Sequence, residues 1–297
     1  MKAEIKIVIS MLIWGSMGLI VKNLDLPSSL IALFRGAIGA SFLLFMFLVL
    51  KKRISTKAIV KNIPLLLLAG GALGVNWILL FEAYKTTTIA NATLSYCLAP
   101  TILVAVSPLI LKERLSLQKV VCILIALLGM AFLSGALSGT PLHPGDLTGI
   151  GFGVAAATAY AGLTLTNKFL RGISSLDATL VQLGVASLVL LPYTLLTANP
   201  TSWRFDLSTI LWLAVLGVVH TGIAFWFYFD SIPKLKTQTI AISCYIDPLS
   251  AIILATVILH EPLGPGQIIG AACILGAIFL GSLSQATSRS AVKTRSF

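Results

Sequence analysis

Apolar runs of about twenty residues, separated by short polar breaks, recur along the whole chain. That length matches a helix crossing the ~30 Å hydrocarbon core of a bilayer. Ten such spans are predicted, over 5–21, 28–50, 62–81, 88–110, 118–138, 148–167, 176–197, 208–229, 238–259 and 265–284. Breaks this short make consecutive helices antiparallel neighbours, and none of them holds a separate soluble domain. The first span has no small-residue cleavage site followed by a mature soluble domain, so it reads as a retained helix rather than a signal peptide.

Composition sharpens this picture. Of 297 residues, 57% are hydrophobic and only 10% charged, against roughly a quarter charged in ordinary soluble domains. Mean hydropathy is +0.99. A soluble enzyme, a nucleic-acid-binding domain and a secreted disulfide scaffold are all excluded by so few charges. The net charge of +11 is then a matter of placement. Of the 21 Lys and Arg, 17 fall in loops on one side of the ten spans, Lys22, Lys85 and Arg204 fall on the other, and Arg35 lies inside the second span. Five of the acids (Asp25, Glu82, Asp146, Asp206 and Glu261) sit on the cation-poor side. The positive-inside rule therefore expects both termini in the cytoplasm, with the basic loops against anionic lipid. Nucleic acid is not an expected partner. Cys97, Cys122, Cys244 and Cys273 all lie within spans without CxxC spacing and read as small apolar packers.

The two halves of the chain resemble each other. At a shift of 148, residues 74–113 align with 222–261, so that Gly74 meets Gly222, Phe81 meets Phe229, Glu82 meets Asp230, Pro100 meets Pro248 and Glu113 meets Glu261. Past a one-residue gap, LLGMAFLSG at 127–135 meets ILGAIFLGS at 274–282. Trp14 stands opposite Tyr160 at a shift of 146. Each copy holds five spans, an odd number, so the second copy enters the membrane from the opposite side. Inverted repeats of this kind underlie alternating access in many secondary transporters. The expected fold is an all-α polytopic membrane protein: ten transmembrane helices as two five-helix inverted repeats, 1–140 and 141–285, around a central cavity, with a basic cytoplasmic tail at 286–297.

Ten spans, the five-plus-five repeat, Trp14 in the first span, the proline-bearing stretches of spans four and nine, and Glu113 and Glu261 in the KERL and HEPL turns resemble the EamA branch of the drug/metabolite transporter superfamily. The resemblance covers almost the whole chain. It implies a bacterial inner-membrane carrier, often an exporter of amino acids or other small metabolites, in which spans 1–4 and 6–9 enclose the cavity and spans 5 and 10 stand to one side.

Polar residues inside spans locate the expected chemistry, because an ionised group at mid-depth costs about 2.5–3.5 kcal/mol even on lenient scales. Two charges lie there. Asp247 is the tenth residue of span nine and Arg35 is about eight residues into span two. Pro248 follows the acid and lacks the N–H that would continue the helix. Pro100 makes the same break in span four, where Ala99 stands in place of the acid. Both prolines are candidate hinges. One reading pairs Arg35 with Asp247, or with carbonyls, as packing. A second places both in a water-filled cavity, where they bind the carboxylate and ammonium of a zwitterion, a task suited to the guanidinium fork. A third makes Asp247 a proton site during the cycle. His220, in the middle of span eight, titrates ordinarily near neutrality and is a second candidate for substrate binding or proton relay. Trp14, Asn76, Trp77, Tyr84, Tyr96, Tyr160, Gln182, Trp226 and Tyr245 cluster at similar depth. Aromatic rings and amides of this kind suit a cavity for an amphipathic solute. Trp203 and Trp212 read as interface anchors.

Three His without HxxxH spacing offer no metal site, and the G-I-G-F-G run at 149–153 lacks the lysine of a phosphate loop. No cofactor and no enzymatic activity are expected. The favoured function is export of a small metabolite, an amino acid above all, by alternating access, proton-coupled or facilitative. The alternative is export of organic cations or drugs with Asp247 alone as the cation or proton site, and a non-transporting scaffold or membrane enzyme ranks lower. The expected partners are the substrate, the lipid bilayer and, with coupling, H+. The pattern is compatible with a monomer.

Overall fold

The computed structural model describes residues 2–51, 54–111, 117–133, 137, 143–197, 203–231, 234–235, 243–244 and 246–294. Among these residues every regular element is a helix. Seven helices are long and apolar enough to cross a membrane: Ala3–Asn23, Ser28–Val49, Ile63–Thr86, Ile89–Ile110, Asp146–Asn167, Ser175–Thr197 and Leu207–Ser231. Three shorter apolar helices, Val120–Leu133, Ile246–Ile258 and Pro265–Ala277, fall within the remaining predicted spans but are shorter than the seven. The molecule is thus an all-helical, multi-pass membrane protein. Helices are the economical solution here, since every backbone N–H and C=O in lipid must find its partner within the segment.

Several spans are interrupted, and the interruptions matter more than the lengths. The first consists of α1 (Ala3–Gly15) and α2 (Met17–Asn23), hinged at Ser16. The second and third are α3 (Ser28–Val49) and α5 (Ile63–Thr86), with the short polar α4 (Thr56–Lys61) between them. The fourth breaks into α6 (Ile89–Tyr96) and α7 (Ala99–Leu111). Thr88 caps α6 by accepting from the Asn91 N–H. α8 (Leu117–Leu133), α9 (Asp146–Asn167) and α10 (Ser175–Thr197) follow. The next span is α11 (Leu207–Ala214), a π-helical stretch (Val215–Ile223) and α12 (Ala224–Ser231). Asp206 caps α11 through the Thr209 N–H, and its bonds to Thr209 hold its carboxyl below the usual carboxylate range. α13 (Ile246–Ile258) and α14 (Pro265–Thr294) complete the chain.

Pro100 and Pro248 occupy the first turns of α7 and α13, where a missing N–H leaves no intrahelical bond unmade. In span four the break between the two helices falls at Cys97 and Leu98, next to Pro100.

Helices α3 and α10 pack together, as do α5 with α9 and α10, α3 with the π-helical stretch, α1 with α12 and α13, and α6 with α9 and α13. Helices α8 and α14 pack chiefly on each other. There Gly129 and Gly270 let the backbones meet, and a Cβ on either would lie 2.9 Å from the other's carbonyl oxygen. Close approach through small residues is the usual basis of helix association in lipid. Gly15 serves the same end where α1 crosses α13: a Cβ there would lie 2.7 Å from the Asp247 carbonyl oxygen and 3.1 Å from the Ala251 nitrogen.

Candidate functional site

Arg35 is 3% exposed on α3. Its Nε donates to Thr221 Oγ1 at 2.8 Å and one Nη donates to the Met17 sulfur at 3.0 Å. The guanidinium lies over the Trp77 ring, 4.4 Å from the centroid, with the Phe81 ring at 5.6 Å. Cation–π contacts in desolvated places reach about 2 kcal/mol or more. Among the described residues no carboxylate pairs with Arg35.

The π-helical stretch aims this cluster. Thr221 donates its own proton to the Leu216 carbonyl at 3.0 Å, five residues back, which leaves an oxygen lone pair for Arg35. The i→i−5 register also opens the His220 carbonyl to Trp14 Nε1, at 2.9 Å. His220 is 3% exposed; its Nε2 meets Ser16 Oγ at 3.0 Å and its Nδ1 the Val215 carbonyl at 3.3 Å. π-Helical turns recur at functional sites because they shift side chains out of the α-helical register. Here the shift joins spans one, two and eight.

Asp247 sits in the first turn of α13, half-buried. That position places a carboxylate at the positive end of a helix dipole. Its backbone carbonyl accepts from Ser250 Oγ, and among the described residues its carboxylate has no hydrogen-bond or ion-pair partner. The described ion pairs, Lys6 and Lys234 with Asp230 and Lys22 with Glu261, include neither Arg35 nor Asp247. Mutual pairing of the two intramembrane charges is not what the structure contains.

The other predicted residues divide by role. Asn76 is 1% exposed and donates to the Ala156 carbonyl at 2.7 Å, with Tyr96 OH at 3.5 Å. Tyr96 and Tyr160 meet edge to face, centroids 5.7 Å apart. Gln182 donates to Asn167 Oδ1 at 2.6 Å, which ties α10 to α9. Tyr245 lies outside the described residues. Trp14, Trp77, Arg35 and His220 thus form one group and Asn76, Tyr96 and Tyr160 a second, while Asp247 lies on α13, which packs on α6, the helix that ends at Tyr96. Ser16, Met17, Phe81 and Thr221 join the first group without having been singled out. Thr221 follows His220 directly in sequence, but in an apolar run a threonine carries no signal of its own. No group of His, Cys, Asp and Glu suited to a metal ion occurs among the described residues.

With this geometry established, comparison with known proteins places the chain among transporters. It matches a profile described as the EamA-like transporter family over residues 1–135 and 147–283. It is 34% identical over 257 residues to "Uncharacterized transporter YxxF" of Bacillus subtilis (strain 168), covering 86% of this chain and 81% of that one. An "Uncharacterized transporter" of Archaeoglobus fulgidus is 30% identical over 67% of this chain and 68% of its own. "Protein PecM" of Dickeya dadantii (strain 3937) is 26% identical over 74% and 76%. A crystal structure of a protein 22% identical in sequence superposes with a TM-score of 0.64 over 95% of this chain and 96% of that one, a likeness of fold.

Proposed function

The chain belongs to the EamA-like transporter family, and from that premise we propose that this membrane transporter of small molecules carries an amine-bearing metabolite, an amino acid above all, by alternating access. One observation carries the reading: two opposite charges, Arg35 and Asp247, lie within apolar spans, yet neither neutralises the other. A buried charge left unpaired is costly unless something supplies its partner. A zwitterion supplies both, with its ammonium at Asp247 and its carboxylate at the free end of the Arg35 fork. When no substrate is bound, a proton on Asp247 serves in place of the ammonium, and export then runs against proton entry.

Inverted repeats supply the moving parts of this scheme. Counting the apolar helices in order, and exchanging each for the one five places on, turns α5–α9 packing into α1–α12 packing. The same exchange turns α10–α5 into the contact of α3 with the π-helical stretch, and α6–α9 into α1–α13. Contacts α3–α10, α8–α14 and α6–α13 map onto themselves. This self-consistency supports ten spans in two halves of like construction. With the positive-inside bias, it favours a bacterial inner-membrane protein with both termini cytoplasmic.

A second reading, an organic-cation exporter, draws on a specific feature: Arg35 is already stacked and hydrogen-bonded, so only Asp247 demands a counter-ion. Two substitutions test and separate these readings in proteoliposomes. Asp247→Asn is expected to abolish the response of flux to an imposed pH gradient, and flux that still follows the gradient removes the acid from coupling. Arg35→Lys is expected to raise KM at least tenfold for an amino acid and leave its decarboxylated amine unchanged. Equal weakening of both solutes contradicts the zwitterion site.

A further inference from the structure

Away from the two intramembrane charges, the end of the bundle holding residues 22–28, 86–91, 143–146 and 259–267 carries a buried polar cluster that substrate recognition does not use. Glu261, 9% exposed, follows α13. Its carboxylate accepts from Lys22 Nζ at the end of α2 and from the Ile89 backbone N–H at the start of α6, the latter at 2.8 Å. Lys22 also donates to the Thr87 carbonyl at 3.3 Å. Thr87 Oγ1 donates to Asp146 Oδ1. Asp146 Oδ1 also takes Asn91 Nδ2 at 3.4 Å, and its Oδ2 takes the His143 N–H at 2.8 Å. Gln267, near the start of α14, donates to Asn91 Oδ1 at 2.8 Å and to Thr88 Oγ1 at 3.4 Å. The start of α6 is therefore bound at once to the ends of spans one and nine and to the beginnings of spans six and ten.

The opposite end is built differently. There Lys6 reaches Asp230 at 2.6 Å, and Asn62 exchanges bonds of 2.9 and 3.1 Å with the Arg171 backbone. Those ties join α1 to α12 and α5 to the segment after α9, pairs of helices that already pack side by side. The Glu261 cluster also joins the two halves of the chain, but it gathers the ends of four spans on one point, the start of α6, a half-helix that ends at Tyr96 and packs on α13, the helix carrying Asp247.

We infer that Glu261 is a positioning residue of the transport cycle. It holds the start of α6 against spans one and nine, and so closes this end of the pathway above Asp247. Release of the Lys22–Glu261 pair and of the Ile89 N–H is the step that admits water to Cys97 and Asp247 from this side. The inference rests on the orientation proposed above only for the name of that side, the extracellular one. Breaking the cluster leaves the binding residues in place, because none of them belongs to it.

Cys97 is the probe. With Cys122, Cys244 and Cys273 replaced by Ser, its labelling by a membrane-impermeant maleimide is followed in right-side-out and in inverted vesicles. Glu261→Ala and Lys22→Met are expected to raise the rate of labelling at least tenfold in right-side-out vesicles and less than twofold in inverted ones. Glu261→Gln keeps an acceptor for the Ile89 N–H but loses the charge, so it is expected to fall between them and the parent. A tenfold rise confined to inverted vesicles keeps the closure and reverses the orientation. Unchanged labelling from both sides in Glu261→Gln and Lys22→Met overturns the inference. So does an equal rise from both sides, the mark of general loosening.

Discussion

Keeping Arg35 in the membrane falls on four neighbours: Thr221 and Met17 take two of its N–H groups, and Trp77 and Phe81 present their rings. Thr221 sets the orientation, since its own proton is committed to Leu216. Thr221→Val is isosteric and removes the acceptor. It is expected to destabilise the protein by about 1–3 kcal/mol, the cost of stranding a buried donor, and to raise KM for carboxylate-bearing substrates. Thr221→Ser should restore both, and failure of Ser to restore KM separates shape from hydrogen bonding. Asn62 makes a simpler case, because it is 4% exposed and bonds the Arg171 backbone in both directions. Asn62→Ala is expected to cost about 1–3 kcal/mol, and Asn62→Asp, which still accepts from the Arg171 N–H, less. Thermal melts in detergent measure both. The charges Arg35 and Asp247 were legible in sequence because lipid makes any ion conspicuous. Their neighbours were not, since Met17, Phe81 and Thr221 look like ordinary members of apolar runs until folding brings three spans together.

Elements repeat the lesson at larger size. Spans were readable from hydropathy because a bilayer imposes length and apolarity together. Proline was a usable signal for helix starts, since Pro100 and Pro248 lie in the first turns of α7 and α13. The π-helical stretch left no trace, because an i→i−5 register changes the direction of side chains without changing the run of apolar residues. Its contribution is testable by deleting Val218, which restores α-helical register. The expected result is loss of transport with helical content retained by circular dichroism, as Thr221 turns from Arg35 and His220 from Ser16. Transport at parental rate would make the π turn incidental. Gly15 governs a second element contact. Gly15→Ala places a methyl 2.7 Å from the Asp247 carbonyl oxygen, so α1 and α13 must part. Overpacking of this kind costs about 1–3 kcal/mol and is expected to lower the melting temperature and weaken substrate binding together.

In the whole molecule, the helices divide into those that carry the site and those that support it. Helices α8 and α14 pack on each other through Gly129 and Gly270, apart from Arg35 and Asp247. Gly129→Leu is therefore expected to lower thermal stability while leaving KM within about twofold, as for other overpacked contacts away from a site. A large change in KM would place these helices in the mechanism. Sequence similarity between the halves was visible at single recurring residues such as Gly74, Phe81, Pro100 and Glu113 and in the LLGMAFLSG stretch, and was weak in the earlier spans of each half. Transport as proposed requires a solute that bridges charges the protein does not pair by itself. The most direct test is flux into proteoliposomes of the purified protein, offering amino acids, their decarboxylated amines, organic cations and nucleobases, each with and without a pH gradient. Saturable amino-acid flux that the gradient alters and that exceeds flux of the matching amine is the predicted result. Flux of amines and cations alone would contradict it, leaving Asp247 as the binding group and Arg35 as part of the scaffold.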